Sequence, residues 1–156
     1  MNEKLYLFNP FNIKKWENEQ IKEQLDVLIS NYDHEADTLH RYALNVENIA
    51  NQLYLIGEMT ARLCEMVNVM KADVSNKENL QVYKQRDAYE KTHDGKPPAM
   101  SYFQALASEF VSEERKQLAR KESDLTRFKI AYKSLEAMMN AQKKKMEAVR
   151  YEEFGG

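Results

Sequence analysis

Residues that break or staple a chain are scarce in this sequence. Its 156 residues include four glycines, three prolines and one cysteine. So few turn residues exclude a sheet protein of this length, which would need a turn every eight to twelve or so residues. The lone Cys64 cannot close an internal disulfide, and its place in a helical pattern makes it a small buried residue rather than a reactive thiol, which fits a reducing compartment. No run approaches the roughly 20 apolar residues needed to cross a bilayer, and no basic segment followed by an apolar one opens the chain. A cytoplasmic protein is expected. Large charge of one sign is missing too: the net charge is −2, which argues against binding nucleic acid through bulk charge.

What is present is helical. Apolar residues make up 43% of the chain and charged ones 31%, the balance of solvated helices, and the fold class is all-α. From Ile21 to Val74 apolar side chains recur at alternating steps of three and four, as Leu39, Tyr42, Val46, Ile49, Leu53, Ile56, Leu63, Val67 and Met70, with Glu35 and Thr60 interrupting. Unbroken, such a helix is roughly 80 Å long at about 1.5 Å per residue, and its seam must be covered by another helix. With Leu39, Val46 and Leu53 at heptad position a, the small residues Ala43, Ala50, Gly57 and Cys64 fall on successive e positions. Small side chains beside a seam allow close approach of a further helix and favour a bundle or packed oligomer.

Four segments follow. Residues 1–12 form an apolar arm, with Leu5, Tyr6, Leu7, Phe8 and Phe11 around Asn9-Pro10, that folds back on its own helices or reaches a neighbour. Residues 13–90 form the long helical segment, as one helix or two nearly collinear ones if Ser30 to Asp33 breaks it. Residues 91–100 form a loop, since Asp94-Gly95 signals a turn and Pro97-Pro98 stops any helix. Ser101 and Gln104 then have the spacing of a capping box, opening a last helix over 101–152. Its seam runs through Leu118, Leu125, Phe128, Tyr132, Leu135, Met139, Met146 and Val149, with Lys121 and Gln142 as polar exceptions. Two matched heptad helices joined by one loop predict a long antiparallel αα-hairpin that assembles into a helical homo-oligomer.

No catalytic constellation stands out, and neither an enzyme nor a cofactor is expected. His34, His40 and His93 do not share a helical face, and no Glu-x-x-His pair accompanies them, so no metal site is expected. The run Asp33, Glu35, Asp37 reads as solvated surface. One cluster is more suggestive: between Val82 and His93, Lys84, Arg86 and Lys91 interleave with Tyr83 and Tyr89. Cations for phosphates beside aromatic faces for bases are what sequence-tolerant binding of a single strand requires. A solvated helix end with inward aromatics is the plainer reading of the same residues. Lys143-Lys144-Lys145, near Arg150 and Tyr151, is a second basic patch, but three consecutive lysines point three ways around a helix.

The order of Lys84-Gln85-Arg86 with Tyr89, the loop Thr92 to Pro98, Met100-Ser101-Tyr102 and the heptad run from Ser112 to Met146 resembles the phage recombination mediator proteins of the UvsY type. The resemblance covers about the last two thirds of the chain; the long first helix and the arm have no counterpart in it. It implies a small oligomer that binds single-stranded DNA and helps load a recombinase onto strand covered by single-strand-binding protein, in the host cytoplasm. Lys84 and Arg86 would be the strand-contacting pair, with Tyr83, Tyr89 and Lys91 beside them. The packing seam would comprise Leu39, Val46, Ile49, Leu53, Ile56 and Gly57, with Leu125, Phe128, Tyr132 and Leu135 on the last helix. From another class, a coiled-coil adaptor or inhibitor that docks on a host protein, or an assembly scaffold, also fits the heptads.

Overall fold

The computed structural model describes residues 10–155, and among these there is no strand. A short 3-10 turn at Pro10–Lys15 precedes four helices: α1 at Asn18–Asn31, α2 at Leu39–Thr92, α3 at Met100–Phe110 and α4 at Ser112–Phe154. The fold is all-α, and the long helices α2 and α4 pack antiparallel. Of the apolar arm, Leu5, Tyr6, Leu7 and Phe8 lie outside the described residues. The chain divides into two compact units, one made of Met1–Arg62 with Thr126–Gly156, the other of Leu63–Leu125.

In the first unit the helical segment expected over 13–90 is neither one helix nor two collinear ones. It turns at residues 32–38, and α1 runs back along α2. Ile13, Ile21 and Leu28 are buried together with Leu55 of α2, and Trp16, Leu25 and Met59 close the cluster. Arg62 fastens the far end: its guanidinium donates to the carbonyls of Ile13 (2.9 Å) and Trp16 (2.7 Å) and to Asn18 Oδ1 (3.0 Å). The near end is held by Asn48, which donates to the Leu28 carbonyl at 2.8 Å. The heptad register survives through Leu28, but it is Leu55, on another face of α2, that answers it.

The turn itself has a polar cause. Asp33 is more than the solvated surface expected of the acidic run: Arg41 forks onto it through Nε (2.6 Å) and Nη2 (2.9 Å) while reaching Asp37 through Nη1 (2.6 Å). Asp33 Oδ1 also accepts from the Glu35 amide at 3.0 Å, the local bond that lets Asp favour a turn over a helix. Hydrogen bonds from Arg41, opposed by partial desolvation and aided by the Glu35 amide, hold the Asp33 carboxyl below the usual carboxylate range. Because the folded value lies below the unfolded one, this contact stabilises the fold above the unfolded range and is lost as pH falls through the folded value. Stability is therefore expected to fall as pH drops through and below the usual carboxylate range, and Asp33→Asn should remove that component, as urea midpoints measured across the acid range would report.

α4 covers the a/d face of α2 in the same unit. Ile49, Leu53 and Ile56 are buried, while Leu39, Val46, Phe128, Tyr132 and Leu135 are half-buried on the same faces. The antiparallel register shows in the pairs that meet: Asn45 with Gln142, and Tyr42 with Lys145, whose ammonium lies 6.0 Å from the ring centroid. Thr60, an interruption in the seam, returns its hydroxyl to the Ile56 carbonyl at 2.7 Å. Gly57 faces Tyr132, yet a Cβ there would stand 3.6 Å from the ring, an ordinary contact. Close packing therefore does not require glycine at this position.

In the second unit Val67 and Val74 of α2, Phe103 and Ala107 of α3, Val111 and Leu125 form the buried core. Lys71 pairs with Glu122 (2.8 Å), Lys77 with Glu114 (3.5 Å) and Arg115 with Glu78, surface bridges worth at most about 1 kcal/mol each. The loop predicted over 91–100 occupies 93–99, with Gly95 at φ +113°, a conformation that needs glycine. Ser101 and Gln104 do not make the capping box; Ala99, which follows the two prolines, is the cap residue, and Met100 starts α3. The last helix is also interrupted at Val111, whose buried side chain turns inward where α3 ends and α4 begins with Glu113 and Glu114 in its first turn.

Candidate nucleic-acid interface

The residues of the basic-aromatic cluster lie on the last turns of α2, within the second unit. Tyr83, Lys84, Arg86 and Lys91 are exposed, and Tyr83 reaches 69%. At 3.6 residues per turn, Lys84 stands about 100° to one side of Tyr83 and Arg86 about 60° to the other. The Lys-x-Arg pair is therefore not a clamp on one phosphate. Its two cations straddle an open aromatic ring.

Tyr89 is placed differently. Its ring stacks on His93 at 4.1 Å with an interplanar angle of 1°, and it meets Phe103 in a T-shaped contact with centroids 5.9 Å apart. Phe103 is itself buried, so Tyr89 docks the start of α3 against α2 and has one ring face occupied. Lys91 donates to Asp87 at 2.7 Å, a contact that raises its pKa and keeps it charged. Arg86 gives its Nε to Glu90 at 3.0 Å, and among the described residues its terminal nitrogens make no further hydrogen bond. Both pairs are exposed i,i+4 bridges, weak enough for a phosphate to displace the carboxylate. Lys84 makes no ion pair among the described residues. Acids and bases alternate here, six basic to five acidic over residues 66–96, so any strand is met by local contacts rather than by a broad field.

Tyr83 also stands on the rim of a groove of about 860 Å³ between α2 and α3. Asn79 and Val82 line it from α2; Met100, Ser101, Gln104 and Ser108 line it from α3. Periodicity gave no hint of this groove, because Ser101 and Gln104 carried a capping expectation. Freed from capping, they present a hydroxyl and an amide beside an aromatic face. Such groups can bond the edges of an unpaired base, and the ring can stack on its plane. The groove is too open, and too poor in converging titratable groups, to suggest acid-base chemistry. Among the described residues no three His, Cys, Asp or Glu side chains come together in a way that could hold a metal ion, and no helix is long and apolar enough to cross a membrane.

Comparison with protein-family models, with curated proteins and with solved structures returns no match.

Proposed function

We propose that the chain binds single-stranded DNA through Tyr83, Lys84 and Arg86 and acts as a recombination mediator, helping a recombinase load onto strand covered by single-strand-binding protein. The observation that carries the reading is the exposed Tyr83 ring, flanked by two cations and bordering a polar-lined groove. Tyr83 stacks on one base, Lys84 and Arg86 engage phosphates to either side, and Lys91 adds charge at the helix end. Tyr89 supports the site from behind by positioning α3. A mediator needs no catalytic group; contacts that are weak singly add up when copies of the chain present them along one strand. Homo-oligomers working in the cytoplasm of a phage-infected host fit this role.

Fluorescence anisotropy of a labelled single-stranded oligonucleotide at about 50 and about 200 mM salt, against duplex of equal length, tests it. Single strand should bind more tightly than duplex and weaken with salt. Lys84→Ala with Arg86→Ala should reduce the slope of log K against log salt by about 1.4, two phosphates at about 0.7 each. Tyr83→Ala should cost about 1–3 kcal/mol of binding. A folded double variant that binds as tightly as the parent overturns the site. No binding at the lower salt overturns the function and transfers it to a coiled-coil adaptor or inhibitor of a host protein, a reading that the balanced charge of this region favours.

A further inference from the structure

The last turn of α4 carries two aromatic side chains that remain largely exposed among the described residues. Tyr151 and Phe154 are 78% and 74% exposed, more than any other large hydrophobic residue among those described. Just before them, α4 and the first turns of α2 bound a groove of about 700 Å³. Leu39, Ala43 and Met146 form its apolar floor, and Lys143 and Arg150 stand at its rim. Glu147 and Arg150 also line the hollow beside Tyr151 and Phe154, so knob and socket are neighbours on one helix. A straight helix holds its own aromatics out of its own groove. A second helix running the opposite way brings them in.

We propose that two copies of the chain associate antiparallel through the last turns of α4, about a two-fold axis passing between residues 148 and 149. In that register Phe154 of one copy comes level with Lys143 of the other and seats in its groove. Glu147 comes level with Arg150, and the symmetry makes that ion pair twice. Within one chain neither Glu147 nor Arg150 forms an ion pair among the described residues, so both charges are available. Tyr151 covers the pair from the side. The charges are complementary under this operation, and the apolar floor receives the residue most in need of cover. A contact of about three helical turns falls short of the standard interface of about 800 Å² per partner, so association is expected at micromolar rather than nanomolar concentration.

Sedimentation equilibrium of the full chain across the micromolar range tests this, with circular dichroism confirming that each variant is folded. Glu147→Arg alone and Arg150→Glu alone each set two like-charge contacts across the axis and should weaken association about tenfold or more. The double variant E147R/R150E re-forms both pairs in reverse and should return to within about threefold of the parent. Phe154→Ser should weaken association about tenfold. A monomer at every concentration overturns the proposal. So does association that the single reversals leave unchanged, or a double variant no better than the singles.

Discussion

Shortening Leu55 to alanine is expected to remove about 2–5 kcal/mol of stability and to loosen α1 before the rest of the chain unfolds. Leu55 is fully buried where Ile13, Ile21 and Leu28 converge on α2. The substitution leaves a cavity that backbone from two helices and a 3-10 turn cannot collapse into without moving. α1 has only 14 residues, and isolated helices of that length are marginal in water. Its helicity therefore depends on the contact that Leu55 supplies. Trp16, the only tryptophan, packs on the same cluster and reports it directly. In urea, the Trp16 fluorescence transition of Leu55→Ala should precede the transition seen by far-ultraviolet circular dichroism, whereas the parent's two should lie close together. A loss below about 1 kcal/mol would mean that α1 is held by Arg62 and the turn rather than by this core.

Replacing Asn45 with alanine should cost about 2–4 kcal/mol, although it removes no apolar surface. Asn45 is 2% exposed and makes three bonds at once. Its Oδ1 accepts from the Asp33 amide at 3.0 Å, and its Nδ2 donates to the Asp33 carbonyl at 2.8 Å and to Gln142 Oε1 at 3.3 Å. One side chain thus ties the backbone N–H and C=O of Asp33 at the turn and meets Gln142, a polar exception in the α4 seam. Alanine leaves those backbone groups part-buried and unpaired, each at a cost of about 1–3 kcal/mol when water cannot reach it. Gln142→Leu is the informative contrast. It removes only the longest of the three bonds and adds an apolar side chain to a seam that favours one, so stability should change by less than about 1 kcal/mol. If the two variants lose stability equally, the Asn45–Gln142 contact, not the turn, is what Asn45 serves. Thermal unfolding of both variants beside the parent decides it.

The strand site and the two-fold contact use different residues in different compact units. Tyr83, Lys84 and Arg86 can fail their binding test while the α4 contact stands, and the reverse also holds. Were both to stand, each assembly would offer the cationic, aromatic site twice, and the second engagement on one strand would gain from the effective concentration set by the first.

By itself the sequence determined the class of structure, the positions of the long seams and the loop between them. Those properties are local or periodic. Steps of three and four put Ile49, Leu53 and Ile56 on one face whatever covers them, and Asp94-Gly95 with Pro97-Pro98 stops a helix in any context. The cationic cluster was legible for the same reason, being contiguous in the chain. What only the tertiary structure decided was which face meets which. Leu28 continues the heptad in register, but nothing in that register says that the chain reverses at residues 32–38 and answers it with Leu55. The answer rests on Asn45, Asn48 and Arg62, polar residues 12 to 49 positions from their partners. Periodicity counts apolar positions, so it passes over polar side chains that bind backbone across a turn. The same blindness hid the groove beside Tyr83, since whether Ser101 and Gln104 cap a helix or face a cleft depends on where α3 lies against α2.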